Sequence, residues 1–114
     1  MEFILIGKVP SKKNSYKQGR GHWYKPKEIT DWEDDVSKQI MELRLPKMAG
    51  KFKAEYVFIL HTDRQDLDNM VVSLNDALQN NGIVDNDRHI MKIDCEKVIN
   101  KQTKEKVLIK LNLL

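Results

Sequence analysis

Between Lys53 and Thr62 the chain places apolar residues on both sides of an extended segment, with Tyr56, Phe58 and Leu60 on one side and Val57 and Ile59 on the other. A half-exposed strand alternates apolar with polar residues, so this run predicts a strand inside a sheet, covered on both faces. Glu2 to Val9 has the same character, with Phe3 and Leu5 opposing Ile4 and Ile6, and is read as a second interior strand. Met91, Ile93 and Cys95 alternate with Lys92, Asp94 and Glu96, and Val107, Ile109, Leu111 and Leu113 repeat the alternation. Two further strands, each with one wet face, follow from that pattern.

The cover comes from helices. Thr30-Asp31-Trp32-Glu33 fits a capping box, and Trp32, Val36, Ile40 and Leu43 then recur at helical spacing as far as Pro46, which predicts a helix of about 14 residues. A second helix is predicted from Asp68 to Asn80, with Met70, Leu74, Ala77 and Leu78 on one stripe and Gly82 as its stop. A helix between the second and third strands favours a right-handed parallel crossover, whereas the short polar link Asn100 to Glu105 predicts that the last two strands form an antiparallel hairpin. The expected fold is therefore α/β (α+β), a mixed four-stranded sheet with two helices, in one domain over residues 1–114. A chain of 114 residues, 40% of them apolar, can bury enough surface to fold without disulfides or a structural metal. Cys95 is alone and cannot make an internal bridge, and the apolar run Phe3 to Ile6 is too short for a secretory or membrane segment. The expectation is a soluble, cytoplasmic protein.

Net charge is only +3, but it is unevenly spread. Residues 1–30 carry seven Lys or Arg against two acids and residues 88–114 seven against three, while residues 51–87 hold seven acids against three bases. A basic periphery around an acidic middle suits phosphates approaching a carboxylate cluster, and it is equally the charge of an ordinary solvated surface. From Pro10 to Lys27 the apolar pattern stops, which predicts a long loop. In it Lys12, Lys13, Lys17, Arg20 and Lys25 are interleaved with Tyr16, Trp23 and Tyr24. Together with Lys101, Lys104 and Lys106 of the last link, these cations are candidate phosphate contacts, and the aromatic rings are candidates for stacking on unpaired bases.

The acids with the most to say are Asp66 and Asp68, where a buried strand meets a helix, and Asp85 and Asp87 just past the next turn. Asp66 and Asp68 leave an extended chain on the same side, so they can share an ion. Carboxylates held within a few ångströms repel unless a cation or hydrogen bonds compensate, and Mg²⁺, with its all-oxygen shell, is the natural compensator. Helix capping by Asp68, an Asx-turn at Asn69 and ordinary turn chemistry at Asp85-Asn86-Asp87 explain the same residues without a metal. A calcium loop running from Asp85 through Asp87 and His89 to Glu96 is excluded, because Ile90 stands where the sharp turn needs glycine. Zinc is excluded by the spacing of His22, His61, His89 and Cys95.

Gly7-Lys8-Val9-Pro10 followed by lysines, Asp66-Leu67-Asp68-Asn69 opening a helix that carries Asp76-Ala77-Leu78, and Asn86-Asp87-Arg88-His89-Ile90 closing a turn together resemble the RusA family of Holliday junction resolvases. The likeness runs from the first strand to Lys97. It implies a homodimeric crossover junction endodeoxyribonuclease of recombination and repair, found often in phages and prophages, that nicks four-way DNA junctions with Mg²⁺, for which Mn²⁺ is a plausible substitute. By position, Asp66 and Asp68 match the motif aspartates and Asp87 the third acidic ligand, with Asp85 in reserve because the family usually has adjacent acids where this chain has Asn86-Asp87. Lys97 matches a recurring lysine and is the candidate to replace another: the family commonly has lysine four residues after the second aspartate, where this chain has Val72. Phosphodiester hydrolysis by carboxylate-held Mg²⁺ fits these residues. The competing expectation is a non-catalytic module that binds branched DNA around a structural metal.

Overall fold

A computed structural model of the chain describes residues 1–11 and 25–114 in full, and the backbone of 17–19 and 22–24. Strand β1 (Glu2–Ile6) is followed by a short antiparallel ribbon of β2 (Lys17–Gly19) and β3 (His22–Tyr24), then helix α1 (Lys27–Leu43) and strand β4 (Phe52–Leu60). Helix α2 (Leu67–Asn80), a 3-10 turn (Asp87–His89) and strands β5 (Ile90–Ile99) and β6 (Lys106–Leu113) complete it. The main sheet is four-stranded and mixed, in the order β1-β6-β4-β5. The expected fold class therefore stands, with the ribbon lying in what the sequence predicts as loop.

Strand β4 is central, parallel to β5 through the α2 crossover and antiparallel to β6. The predicted β5–β6 hairpin does not form. Strand β6 instead inserts between β1 and β4, antiparallel to both. The physical reason is apolar content: Val107, Ile109 and Leu111 are buried while Leu108 is half-buried on the opposite side, so β6 suits an interior position. Charged Lys92, Asp94 and Glu96 suit β5 to an edge.

Both helices cover the same face, burying Val36 and Ile40 of α1 and Met70, Leu74, Ala77 and Leu78 of α2 against Phe3, Leu5, Phe52, Tyr56, Phe58 and the core side of β6. With both helices on one side, the other face of the sheet has no helix over it among the described residues. The expectation that β1 lies inside the sheet with both sides covered is thus wrong: it is an edge strand, with Ile4 47% and Ile6 43% exposed. Helix α1 also begins earlier than predicted, capped by the extended Pro26, whose carbonyl accepts from Ile29 and Thr30, so Thr30 lies inside the helix and no capping box forms. Leu43, expected on the buried stripe, is exposed. Gly82 does end α2, at φ 73°, a left-handed turn that favours glycine.

Candidate active site

Where β4 ends, the chain turns through residues 61–66 into α2. Asp66 is the N-cap, extended at φ −74° and ψ 131°, and its carbonyl accepts the first helical bond from Met70. Its carboxylate does not cap. Oδ2 instead accepts the side-chain amide of Asn69 at 3.3 Å, while Asp68 Oδ1 accepts the Asn69 backbone N–H at 2.9 Å. Asn69, itself buried, is therefore the shared partner that holds the two carboxylates on one side of the helix start. Both aspartates are exposed, and each keeps one oxygen with no hydrogen-bond partner among the described residues. Amide donors and the positive end of the helix dipole offset their mutual repulsion.

Asp85 and Asp87 lie elsewhere. The Asp87 N–H donates to Gln79 Oε1 at 2.8 Å, in the last turn of α2, and Asp85 Oδ1 accepts His89 Nδ1 at 2.8 Å. That hydrogen bond holds the Asp85 carboxyl below its ordinary pKa. Gln79 lies eleven helical steps beyond Asp68, about 16 Å at 1.5 Å per residue. The register agrees: β5 meets β4 at Phe52 near the Asp87 turn and at Leu60 near the aspartate pair, so the two sets of acids sit at opposite ends of the sheet. The expectation of one cluster uniting Asp66, Asp68 and Asp87 is not met within a chain, because α2 stands between them. Among the described residues no group of three or more metal-ligating side chains forms.

The Asp66 end gathers cations. Lys97 points from the helix-covered side of β5, its Nζ donating to the Asp63 carbonyl at 3.1 Å and the Gln65 carbonyl at 2.9 Å. Lys101 and Lys104 are exposed in the β5–β6 link, which is tied to this end by Asn100 N–H to the Leu60 carbonyl, by the Gly7 N–H to the Glu105 carbonyl, and by His61. His61 places its Nε2 2.7 Å from the Thr103 carbonyl and its backbone N–H 3.1 Å from Glu105 Oε2. Ser73 Oγ, on the same helical stripe as Asn69, donates to the Pro10 carbonyl at 2.7 Å, so Pro10, just before the basic segment of the sequence, lies beside α2. Lys12, Lys13, Tyr16 and Arg20, and the side chains of Lys17, Trp23 and Tyr24, lie outside the described residues. Lys25, a candidate phosphate contact, forms an ion pair with Glu33 at 2.8 Å. Val72 is 45% exposed on the outer side of α2.

The sequence reading missed Asn69 and Ser73 as site residues. Their signal was available: two polar residues four apart, next to a stripe of buried apolar ones. Cys95 is half-buried, and burial raises its thiol pKa, which suits packing and not reactivity. No helix among the described residues is long and apolar enough to cross a membrane.

Two comparisons bear on this site. The family model described as "Endodeoxyribonuclease RusA" matches residues 7–111. The chain is also 33% identical, over 116 aligned positions that cover 95% of it and 88% of the relative, to the crossover junction endodeoxyribonuclease RusA of Aquifex aeolicus (strain VF5).

Proposed function

Because the chain belongs to the RusA family of endodeoxyribonucleases, we propose that it is a Mg²⁺-dependent, structure-selective nuclease that nicks four-way DNA junctions at two symmetric positions, as a two-fold homodimer. The observation that carries this reading is the Asp66–Asp68 pair, exposed, oriented by a buried Asn69, at the end of the sheet to which the link bearing Lys101 and Lys104 is tied. Two carboxylates with one open oxygen each suit Mg²⁺, which takes one or two protein carboxylates and completes its octahedron with waters and substrate phosphate. Asp66 and Asp68 would hold it, and when bound it would activate water and neutralise charge on the phosphate. The chain's own groups do the rest. Asn69 holds one oxygen of each carboxylate and leaves the other open, and the link lysines draw phosphates to that end.

On this reading the third acid, Asp87, comes from a second copy, since within one chain it is a helix length away. A two-fold axis that sets the Asp87 turn of one subunit against the Asp66 end of the other creates two equivalent sites, which matches the pair of nicks that resolving a junction requires. The test is nicking of a labelled four-way junction in Mg²⁺ against binding in Ca²⁺ or EDTA. Paired, symmetric nicks in Mg²⁺ alone are expected. Tight junction binding with no nicking in Mg²⁺ or Mn²⁺ would instead identify a non-catalytic binding module.

A further inference from the structure

On β5 the residues facing the helices are Ile93, Cys95 and Lys97, so a lysine occupies a position whose register partner, Phe58, is fully buried. A cation there needs acceptors, and it finds them in the link between β4 and α2, at the carbonyls of Asp63 and Gln65. The second carbonyl belongs to the residue immediately before Asp66. Within the same link Gln65 Oε1 is buried with no hydrogen-bond donor. The link is thus rich in acceptors and short of donors, and among the described residues no other hydrogen bond to these two carbonyls replaces the ammonium.

We propose that Lys97 is a positioning residue: by binding the Asp63 and Gln65 carbonyls it fixes the path of residues 61–66, and so sets where Asp66 and Asp68 present their open oxygens. The proposal rests on the reading of those aspartates as metal ligands. It assigns Lys97 a task distinct from touching the leaving oxygen, because two of its three N–H groups are spent on backbone. It also explains a lysine at this parity, where an aliphatic side chain would pack as well against Phe58 but leave both carbonyls without a donor.

The test compares wild type with Lys97→Met, which keeps the aliphatic stem and removes the donors, and Lys97→Arg, which restores them. Backbone amide exchange is followed in peptides covering residues 61–70, junction binding is measured without divalent metal across a salt series, and nicking is followed against Mg²⁺ concentration. For Lys97→Met, exchange in 61–70 should accelerate at least tenfold with the β4 and β6 cores unchanged, while junction affinity stays within twofold and its salt slope is retained. Nicking should fall at least tenfold at limiting Mg²⁺ and recover towards wild type as Mg²⁺ rises, and Lys97→Arg should restore most of both effects. Unchanged exchange in 61–70, or a joint loss of affinity and salt slope that marks a direct phosphate contact, would overturn the proposal. If Lys97→Met loosens the whole sheet, Lys97→Gln, which keeps a single amide donor group, takes its place under the same criteria. Failure of the nuclease reading shows separately, as absence of Mg²⁺-dependent nicking by wild type, because the exchange measurement reports on Lys97 either way.

Discussion

On the proposed reading, Asp68 serves fold and chemistry together. The Asp68 carboxylate takes an amide of the first helical turn through Oδ1 and leaves Oδ2 open, so the capping-type bond and the ligand reading are compatible in one side chain. Replacing Asp68 by Asn keeps an acceptor for the Asn69 N–H but removes the charge. Nicking should then drop by at least about a hundredfold, the scale of losing one placed electrostatic group, with junction binding equal or tighter because a repulsion towards phosphate is gone. Near-normal nicking in Mg²⁺ would reduce Asp68 to a structural role. Tyr56 offers a contrast in which stability alone is at stake. Its hydroxyl donates to Asn75 Oδ1 at 2.7 Å, joining the central strand to α2, and burial pushes its pKa well up, so it stays protonated. Tyr56→Phe should lower unfolding free energy by about 0.5–1.5 kcal/mol, read as a lower urea midpoint at constant slope. The Asp66–Asp68 spacing was legible in the sequence because both acids lie at a strand-to-helix junction. The task of Lys97 was not, because it depends on which carbonyls lie within reach of its amine, and that is a tertiary fact.

At the scale of elements, the central strand, the crossover helix and its glycine stop were legible because each rests on a local pattern. Strand order was not. A short polar link suggested that β5 and β6 pair, yet six residues from Asn100 to Glu105 carry the chain past β4 to its other side. The clue lay in the strands themselves: β5 alternates charge and apolar residues like an edge, while β6 carries Leu108 opposite Val107 and Ile109 like an interior strand. This topology matters for function. The link that carries Lys101 and Lys104 returns beneath His61, at the end of the sheet that holds the aspartate pair. Alanine at Lys101 or Lys104 should therefore weaken junction binding and lower the slope of log affinity against log salt by about 0.9 per lost phosphate contact, as measured by titration at several salt concentrations. An unchanged slope in both variants would remove this link from the DNA interface.

Taken whole, the molecule has its candidate acids at two ends of one sheet, an arrangement that a linear reading could not reveal. In the sequence Asp68 and Asp87 are separated by one helix and one turn, which reads as proximity, whereas a helix of 14 residues is about 20 Å long. On the proposed reading, separation within the chain calls for a second copy to complete each site as well as to make the second nick. Light scattering at micromolar concentration should return twice the 13.4 kDa of a single chain. A monomer that still resolves junctions would exclude the shared site.

The most direct measurement is complementation between two inactive variants. Asp68→Asn and Asp87→Asn are each purified as homodimers, then co-expressed with different tags and isolated as the mixed dimer. If every site combines Asp68 of one subunit with Asp87 of the other, the mixed dimer carries one site with both substitutions and one with neither. It should nick one strand of a four-way junction in Mg²⁺ and leave the second uncut, while both parent dimers stay inactive. A mixed dimer as inactive as its parents would place all the acids of a site in one chain and contradict the account.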